Sequence, residues 1–208
     1  LPTGILTSVD DYPDLWSMGN AVGEIGPDFA PDSKFWYSDA GTDALGAVVE
    51  QVSGTGLQAF VTSRLLDPLQ MEDSFSCSPG EGHPLWDRVA SLYFPYNGVW
   101  TRFWEPDGTP FYPFTWGSQT LYATPVDYAR FLAMWLDDGQ WNGTELLSPA
   151  AVHRQLTPVS VMTSMGTDTP APTGFYDTRA WYGQMAVLYL PLDGTGSEDP
   201  FVVGHSGS

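Results

Sequence analysis

The sequence predicts an α+β fold, a mostly helical region joined to part of an antiparallel sheet. Three observations predict it. Capped segments with apolar residues at helical spacing recur between residues 38 and 156. Two apolar runs, 181–190 and 201–205, flank a turn-rich stretch and read as an antiparallel pair. The chain has 208 residues, 42% of them hydrophobic and 15% charged, which excludes a disordered tail. A chain of this length buries roughly 70% of its unfolded surface, enough for a proper core. One domain over 1–208 is expected, with a helical region over 38–160, an aromatic insertion at 76–117 and sheet strands over 179–208.

The stretch up to about Ser33 is rich in Gly, Pro and Asp and reads as loop with short turns. Ser38 or Asp39 caps the first helix, in which Ala40, Ala44, Val48 and Val52 recur every four residues on one face. Gly54 sits at its C-cap. A second helix runs from Leu57 to Leu66 with Phe60, Val61 and Leu65 facing in, and Asp67-Pro68 stops it. In residues 76–117 six prolines stand among eleven aromatic residues from Trp86 to Trp116. Prolines at this density block a long helix or a central strand, so short strands at most are expected. The stretch is too aromatic for a solvated linker and is expected to pack on something.

Thr124, Pro125 and Asp127 open a third helix in the manner of a capping box. Tyr128, Phe131, Leu132 and Trp135 supply its apolar stripe, and Gly139 closes it. Asp137 and Asp138 oppose the helix dipole there, so that end is expected to fray. A short helix from Ser148-Pro149 to about Leu156 precedes a Thr/Pro/Met-rich loop reaching about Thr178. Trp181–Leu190 reads as one strand, 191–196 as turn, and Phe201–His205 as the returning strand. The sequence stops at Ser208 with nothing to cover that strand's far edge. An exposed apolar edge is a liability, so a sequence cut short is expected, with self-association through the unfinished sheet.

Charge narrows the partners. Seven Lys+Arg face 25 Asp+Glu, for a net charge of −18. No basic face can form, which argues against nucleic acid and against an anionic membrane surface. No apolar run of about 18 residues exists to cross a membrane as a helix, and Leu1-Pro2-Thr3-Gly4 shows no signal peptide. The acid excess suits salty or extracellular surroundings. The one cysteine, Cys77, excludes an internal disulfide and a cysteine cluster. His83 and His153 lack metal-ligand spacing, so neither metal nor other cofactor is expected. Adjacent acids at Asp10-Asp11 and Asp137-Asp138 read as solvated surface, and Asn142-Gly143-Thr144 fits a glycosylation sequon or a plain turn.

Two places could carry chemistry. Tyr37 stands at a helix entrance before Ser38 and Asp39, where its phenol could act as a base if cations lowered a pKa of about 10. The bland alternative makes Ser38 and Asp39 caps and Tyr37 a packing residue. Gly204-His205-Ser206-Gly207-Ser208 looks like a nucleophile elbow but lacks the last glycine of G-x-S-x-G, and no helix follows. A triad centred on Ser206 is therefore a poor reading.

Taken in order, the segments are more specific. Phe29 to Gly41, with Tyr37-Ser38-Asp39 at its heart, resembles the stretch around the second motif of the serine β-lactamase and penicillin-binding-protein superfamily, in its class C β-lactamase-like branch. That motif reads Tyr-Ser/Ala-Asn. Leu45 to Gly54 looks like the helix after it. Leu66-Asp67-Pro68-Leu69-Gln70-Met71 resembles the family's Pro-Leu-Gly-Met segment, with Gln70 where Gly is usual. Ser118 to Gly139 is similar to its small-residue turn and Asp-x-Ala-Arg-Phe helix, and Leu146-Leu147-Ser148-Pro149 to its continuation. Gly204 to Ser208 stands where the third motif, Lys-Thr-Gly or His-Thr/Ser-Gly, lines the active site.

The resemblance implies a β-lactamase/transpeptidase-like fold, incomplete at both ends, and an acyl-enzyme mechanism on ester, amide or lactam substrates. A serine from a Ser-x-x-Lys helix would attack the carbonyl. Tyr37 would be general base for that serine and acid for the leaving group, and His205 would replace the third-motif Lys. Asp39 would take the place of the substrate-contacting Asn, Ser206 would donate a hydrogen bond, and the N–H groups at Gly207-Ser208 would face the substrate, with that of Ser208 in the oxyanion hole. The aromatic stretch could form an acyl pocket or simply pack its subdomain. The resemblance also implies a periplasmic or extracellular location.

Two departures matter. Asp39 is an anion and cannot donate to a substrate carbonyl, which favours an esterase or peptidase over a β-lactamase. No Ser-x-x-Lys occurs, because the only lysine is Lys34 and Pro31 stands three residues before it. The chain is thus expected to be the middle and later portion of a serine hydrolase, inactive alone. A non-catalytic relative that binds a peptide or cell-wall ligand is the alternative, and a carbohydrate-binding module a third reading.

Overall fold

The computed structural model describes residues 12–78, 82–106, 114–164, 170–171, 177–192 and 200–205. The chain divides into two compact units, Leu1–Asp28 with Ser38–Leu132, and Phe29–Tyr37 with Ala133–Ser208.

In the first unit, helix α1 (Leu15–Ile25) packs on α2 (Asp39–Ser53). The expectation of loop up to Ser33 is corrected by α1. Asp14 caps it, accepting from the Ser17 amide at 2.7 Å. Leu15, Met18 and Val22 form its buried stripe against Ala40, Ala47, Leu57, Phe114 and Trp116. The glycines that read as breakers have a packing reason. A Cβ on Gly19 would come within 2.6 Å of the Ala47 Cβ, so the bare backbone lets the two helices meet.

Helix α2 starts at its Ser38 cap and ends at Gly54 in the left-handed region, as expected. Its inward face differs from the expected one. Ala40, Asp43, Gly46 and Ala47 are buried, whereas Val48 is exposed and Val52 is 83% exposed. Four residues turn the helix about 400°, so a strict four-residue repeat drifts off the face. Helix α3 (Leu57–Val61) runs directly into a π-helical turn, Thr62–Leu66. The wider turn carries burial to Leu66, and Phe60, Val61 and Leu65 are only half-buried.

Strand β1 (Phe75–Ser76) pairs antiparallel with β4 (Leu121–Tyr122). Between them β2 (Leu92–Tyr96) and β3 (Val99–Trp104) form a hairpin closed by Asn97-Gly98, both at positive φ. Packing of the aromatic stretch holds only in part. Trp86 and Trp104 join Phe75 and Tyr122 in an edge-to-face cluster, with Trp86 5.2 Å from Tyr122. Tyr93, Phe94, Tyr96, Trp100 and Phe103 stay exposed.

Helix α4 (Pro125–Leu136) follows the Thr124 cap and crosses the division between the units. Asp127 and Met134 are its buried residues, and Tyr128 and Leu132, expected inside, are exposed. Asp127 is held on three sides. Its Oδ2 accepts from the Asp73 amide at 2.8 Å and the Ser74 hydroxyl at 2.9 Å, and its Oδ1 pairs with Arg130 at 2.8 Å. Arg130 also donates to the Gln70 carbonyl. This clasp ties the 70–74 turn to α4. The helix ends at Leu136, and Asp137-Asp138 lie beyond it in an exposed turn. Gly139, at φ 88, donates to the Met134 carbonyl and closes the helix.

In the second unit β5 (Gln140–Trp141) and β6 (Thr144–Glu145) form a hairpin through Asn142-Gly143, so that tripeptide is a turn. Helix α5 (Pro149–Gln155) is capped by Ser148. A four-stranded sheet follows in the order β10-β9-β8-β7, from β7 (Ser160–Val161), β8 (Thr178–Tyr182), β9 (Val187–Pro191) and β10 (Val202–Gly204). The single strand expected over 181–190 is two strands. Gly183 turns the chain by donating to the Ala186 carbonyl, and Met185 adopts a positive φ. The apolar run hid that turn. The antiparallel return of the last strand is as expected, with Val203 opposite Leu188.

Candidate active site

The segment Phe29–Tyr37 belongs to the same compact unit as the four-stranded sheet, and this brings Tyr37 to His205. The two rings lie 5.7 Å apart at an interplanar angle of 36°. Both are exposed, Tyr37 by 38%. Tyr182, the last residue of β8, joins them. Its hydroxyl lies 3.0 Å from the His205 Nε2, and its ring stands edge-on to Tyr37 at 6.5 Å. Phe35 also packs against Tyr182, with centroids 5.3 Å apart. The same segment is stiffened by Lys34, whose ammonium lies 4.3 Å from the Phe29 ring and 5.2 Å from the Trp36 ring.

The backbone explains how three distant residues converge. Tyr182 pairs with Val187, and Val187 pairs with Gly204, so Tyr182 and the residue before His205 share one row across three strands. His205 follows at the strand end, where the ladder no longer dictates its direction. An imidazole beside a phenol, with a second hydroxyl on its ring nitrogen, can accept, hold and return a proton.

Asp39 opens α2 in the first unit, where its charge favours the helix N-terminus. It also acts on Asp43, one turn on. Asp43 is completely buried, its Oδ1 accepting from the Ser118 amide at 2.7 Å. Burial pushes its carboxyl up from 3.8 to about 6, the Ser118 amide opposes this, and the negative charge of Asp39 adds to it. Ser206, Gly207 and Ser208 lie outside the described residues.

Two residues escaped the sequence reading. Splitting the 181–190 run at Gly183 would have put Tyr182 at a strand end in register with Gly204. Asp43 lies four residues after Asp39 on the inward stripe of α2, and only the correct helical phase exposes it as a buried acid.

Among the described residues no cluster of three or more His, Cys, Asp or Glu could hold a metal ion. No helix among them is long and apolar enough to cross a membrane.

Comparison with known proteins gives the lineage. The chain is 31% identical over 137 residues to penicillin-binding protein 4 of Amycolatopsis lactamdurans, a match covering 64% of this chain and 34% of that protein. It thus spans about a third of that relative's length. Among solved structures, a penicillin binding protein from Bacillus halodurans superposes with a TM-score of 0.62 at 20% identity, covering 88% of this chain and 49% of that one. The D-amino acid amidase of Ochrobactrum anthropi SV3 gives 0.57 at 19% identity, covering 86% and 49%. These likenesses establish the β-lactamase/transpeptidase-like α+β fold over most of this chain and about half of each of those relatives. The beta-lactamase family model matches residues 6–208, and the chain belongs to the beta-lactamase family.

Proposed function

We propose that this chain carries the proton-transfer arm of a serine hydrolase that forms an acyl-enzyme on ester, amide or lactam carbonyls. One observation carries the reading: the Tyr37 phenol and the His205 imidazole, 168 positions apart in sequence, lie side by side with ring centroids 5.7 Å apart. In this mechanism the Tyr37 oxygen takes the proton of the attacking serine and returns it to the leaving group. His205 in its protonated form stabilises the phenolate by charge. Asp39 pairs with a lysine, Ser206 donates to the substrate, and the N–H of Ser208, beside Gly207, is one oxyanion donor. The anionic Asp39 favours esters and peptides over β-lactams, because it has no proton to donate to an amide carbonyl.

The serine and its lysine must come from outside these 208 residues, so this chain alone is expected to turn over nothing. The test uses a longer form bearing a Ser-x-x-Lys helix. That form is expected to hydrolyse a chromogenic ester and to show a covalent acyl adduct by mass spectrometry. Absence of both with esters, D-amino acid amides and penicillin would sink the reading. Binding of a cell-wall peptide without turnover would instead favour a non-catalytic relative.

A further inference from the structure

The geometry points to Tyr182 as a positioning residue for His205, one that fixes which ring nitrogen carries the proton and how the imidazole faces Tyr37. The inference rests on the reading of His205 and Tyr37 as the proton-transfer pair. Tyr182 touches both. Its hydroxyl is 3.0 Å from the His205 Nε2, while its ring packs edge-on to Tyr37 and against Phe35. His205 Nε2 can serve as acceptor only when the ring proton sits on Nδ1. A donating Tyr182 hydroxyl therefore selects the Nδ1–H tautomer of the neutral ring, and the same hydroxyl accepts from Nε2–H when the ring is charged. Either way the imidazole plane is held in register with the phenol.

The placement is built by the fold. Tyr182 ends β8 where the chain turns at Gly183, and there the turn is fixed from two directions. The Gly183 amide donates to the Ala186 carbonyl, and the Gln184 amide donates to the Gln155 carbonyl of α5. A Cβ on Gly183 would strike the Gln155 carbonyl oxygen, so only glycine lets the end of β8 sit this close to α5. His205 lies just past Gly204, the last residue of β10, where no strand pairing among the described residues sets its orientation. The Tyr182 hydroxyl supplies that orientation from two strands away.

The experiment is long-range proton–nitrogen NMR of the imidazoles in this chain, with His205 assigned by a His205→Gln variant. In the unsubstituted chain His205 is expected to report one dominant tautomer with Nδ1 protonated at neutral ring charge. Tyr182→Phe keeps the ring and its contacts and removes only the hydroxyl. It is expected to lower the tautomer preference about three- to tenfold, as loss of one hydrogen bond would, with near-UV circular dichroism unchanged. Tyr182→Leu removes the ring as well and is expected to alter the tautomer ratio no less. An unchanged His205 spectrum in Tyr182→Phe overturns the assignment. The imidazole signal decides this without any turnover, whereas ester hydrolysis by the serine-bearing form decides the hydrolase reading. In that form Tyr182→Phe is expected to lower kcat with KM little changed, and an unchanged kcat likewise counts against the role.

Discussion

The Asp43 carboxylate, entirely buried in α2, accepts a hydrogen bond from the Ser118 amide at 2.7 Å and so ties that helix to a loop 75 residues away. Next to it Gly117 lies so close to the Thr42 carbonyl that a side chain there would collide. The Ser118 and Gly117 groups beside it do not repay the burial of a full charge, and among the described residues the second oxygen, Oδ2, makes no close hydrogen bond. That is the physical reason its carboxyl is raised to about 6.

The pH dependence follows from that displacement. The unfolded chain releases this proton near 3.8 and the folded chain near 6, so the folded state binds more protons in between. The contribution is fully present below pH 4 and is lost as pH rises through 6. Asp43→Asn keeps an oxygen for the Ser118 amide and removes the charge. It is expected to stabilise the chain at pH 7 by about 1–3 kcal/mol and to make no difference near pH 3.5. Urea unfolding at several pH values checks this, and a constant offset between the two proteins would contradict it.

Asp127 presents the opposite balance, because its charge is paired and both of its oxygens are used. Removing one partner strands the rest. Asp127→Ala is expected to cost about 3 kcal/mol, since Arg130 is itself a third exposed, and Ser74→Ala about 1 kcal/mol. The two losses share one oxygen, so the double variant should cost little more than Asp127→Ala alone. Simple additivity in denaturant titrations would show that the clasp is not a single unit.

Gly183 is the place where one methyl group reaches from backbone to site. Gly183→Ala pushes the end of β8 away from the Gln155 carbonyl, and overpacking of this kind costs about 1–3 kcal/mol. Because Tyr182 is its neighbour, the variant should also broaden or shift the His205 imidazole resonances. A thermal melt and the same NMR spectrum test both effects, and a loss of stability with an unmoved His205 would separate the turn from the site.

The sequence disclosed elements that announce their own ends. Ser38, Gly54, Thr124, Gly139 and Ser148 bracket their helices as caps, because a cap is a local hydrogen bond between neighbouring residues. It concealed what depends on distant partners. Gly19 looks like a helix breaker until Ala47 is seen against it, and Gly183 vanishes inside an apolar run until Gln155 explains it. Tyr37 and His205 were legible as a family resemblance. Tyr182 was not, since its meaning lies in strand register and not in any neighbouring residue.

The sharpest test of the phenol falls on Tyr37 itself. Its ring is more than a third exposed, so exchange of the hydroxyl for hydrogen removes little from packing. Tyr37→Phe keeps the contacts with His205 and Tyr182 and deletes only the atom that would carry the proton. In the serine-bearing form it is expected to lower kcat/KM for an ester about 10²- to 10⁴-fold, the range for loss of a general base. Unfolding free energy should move by no more than about 0.5 kcal/mol. A purely structural tyrosine predicts the reverse pattern, with intact turnover and a lower melting point, so the two measurements together decide which role the residue has.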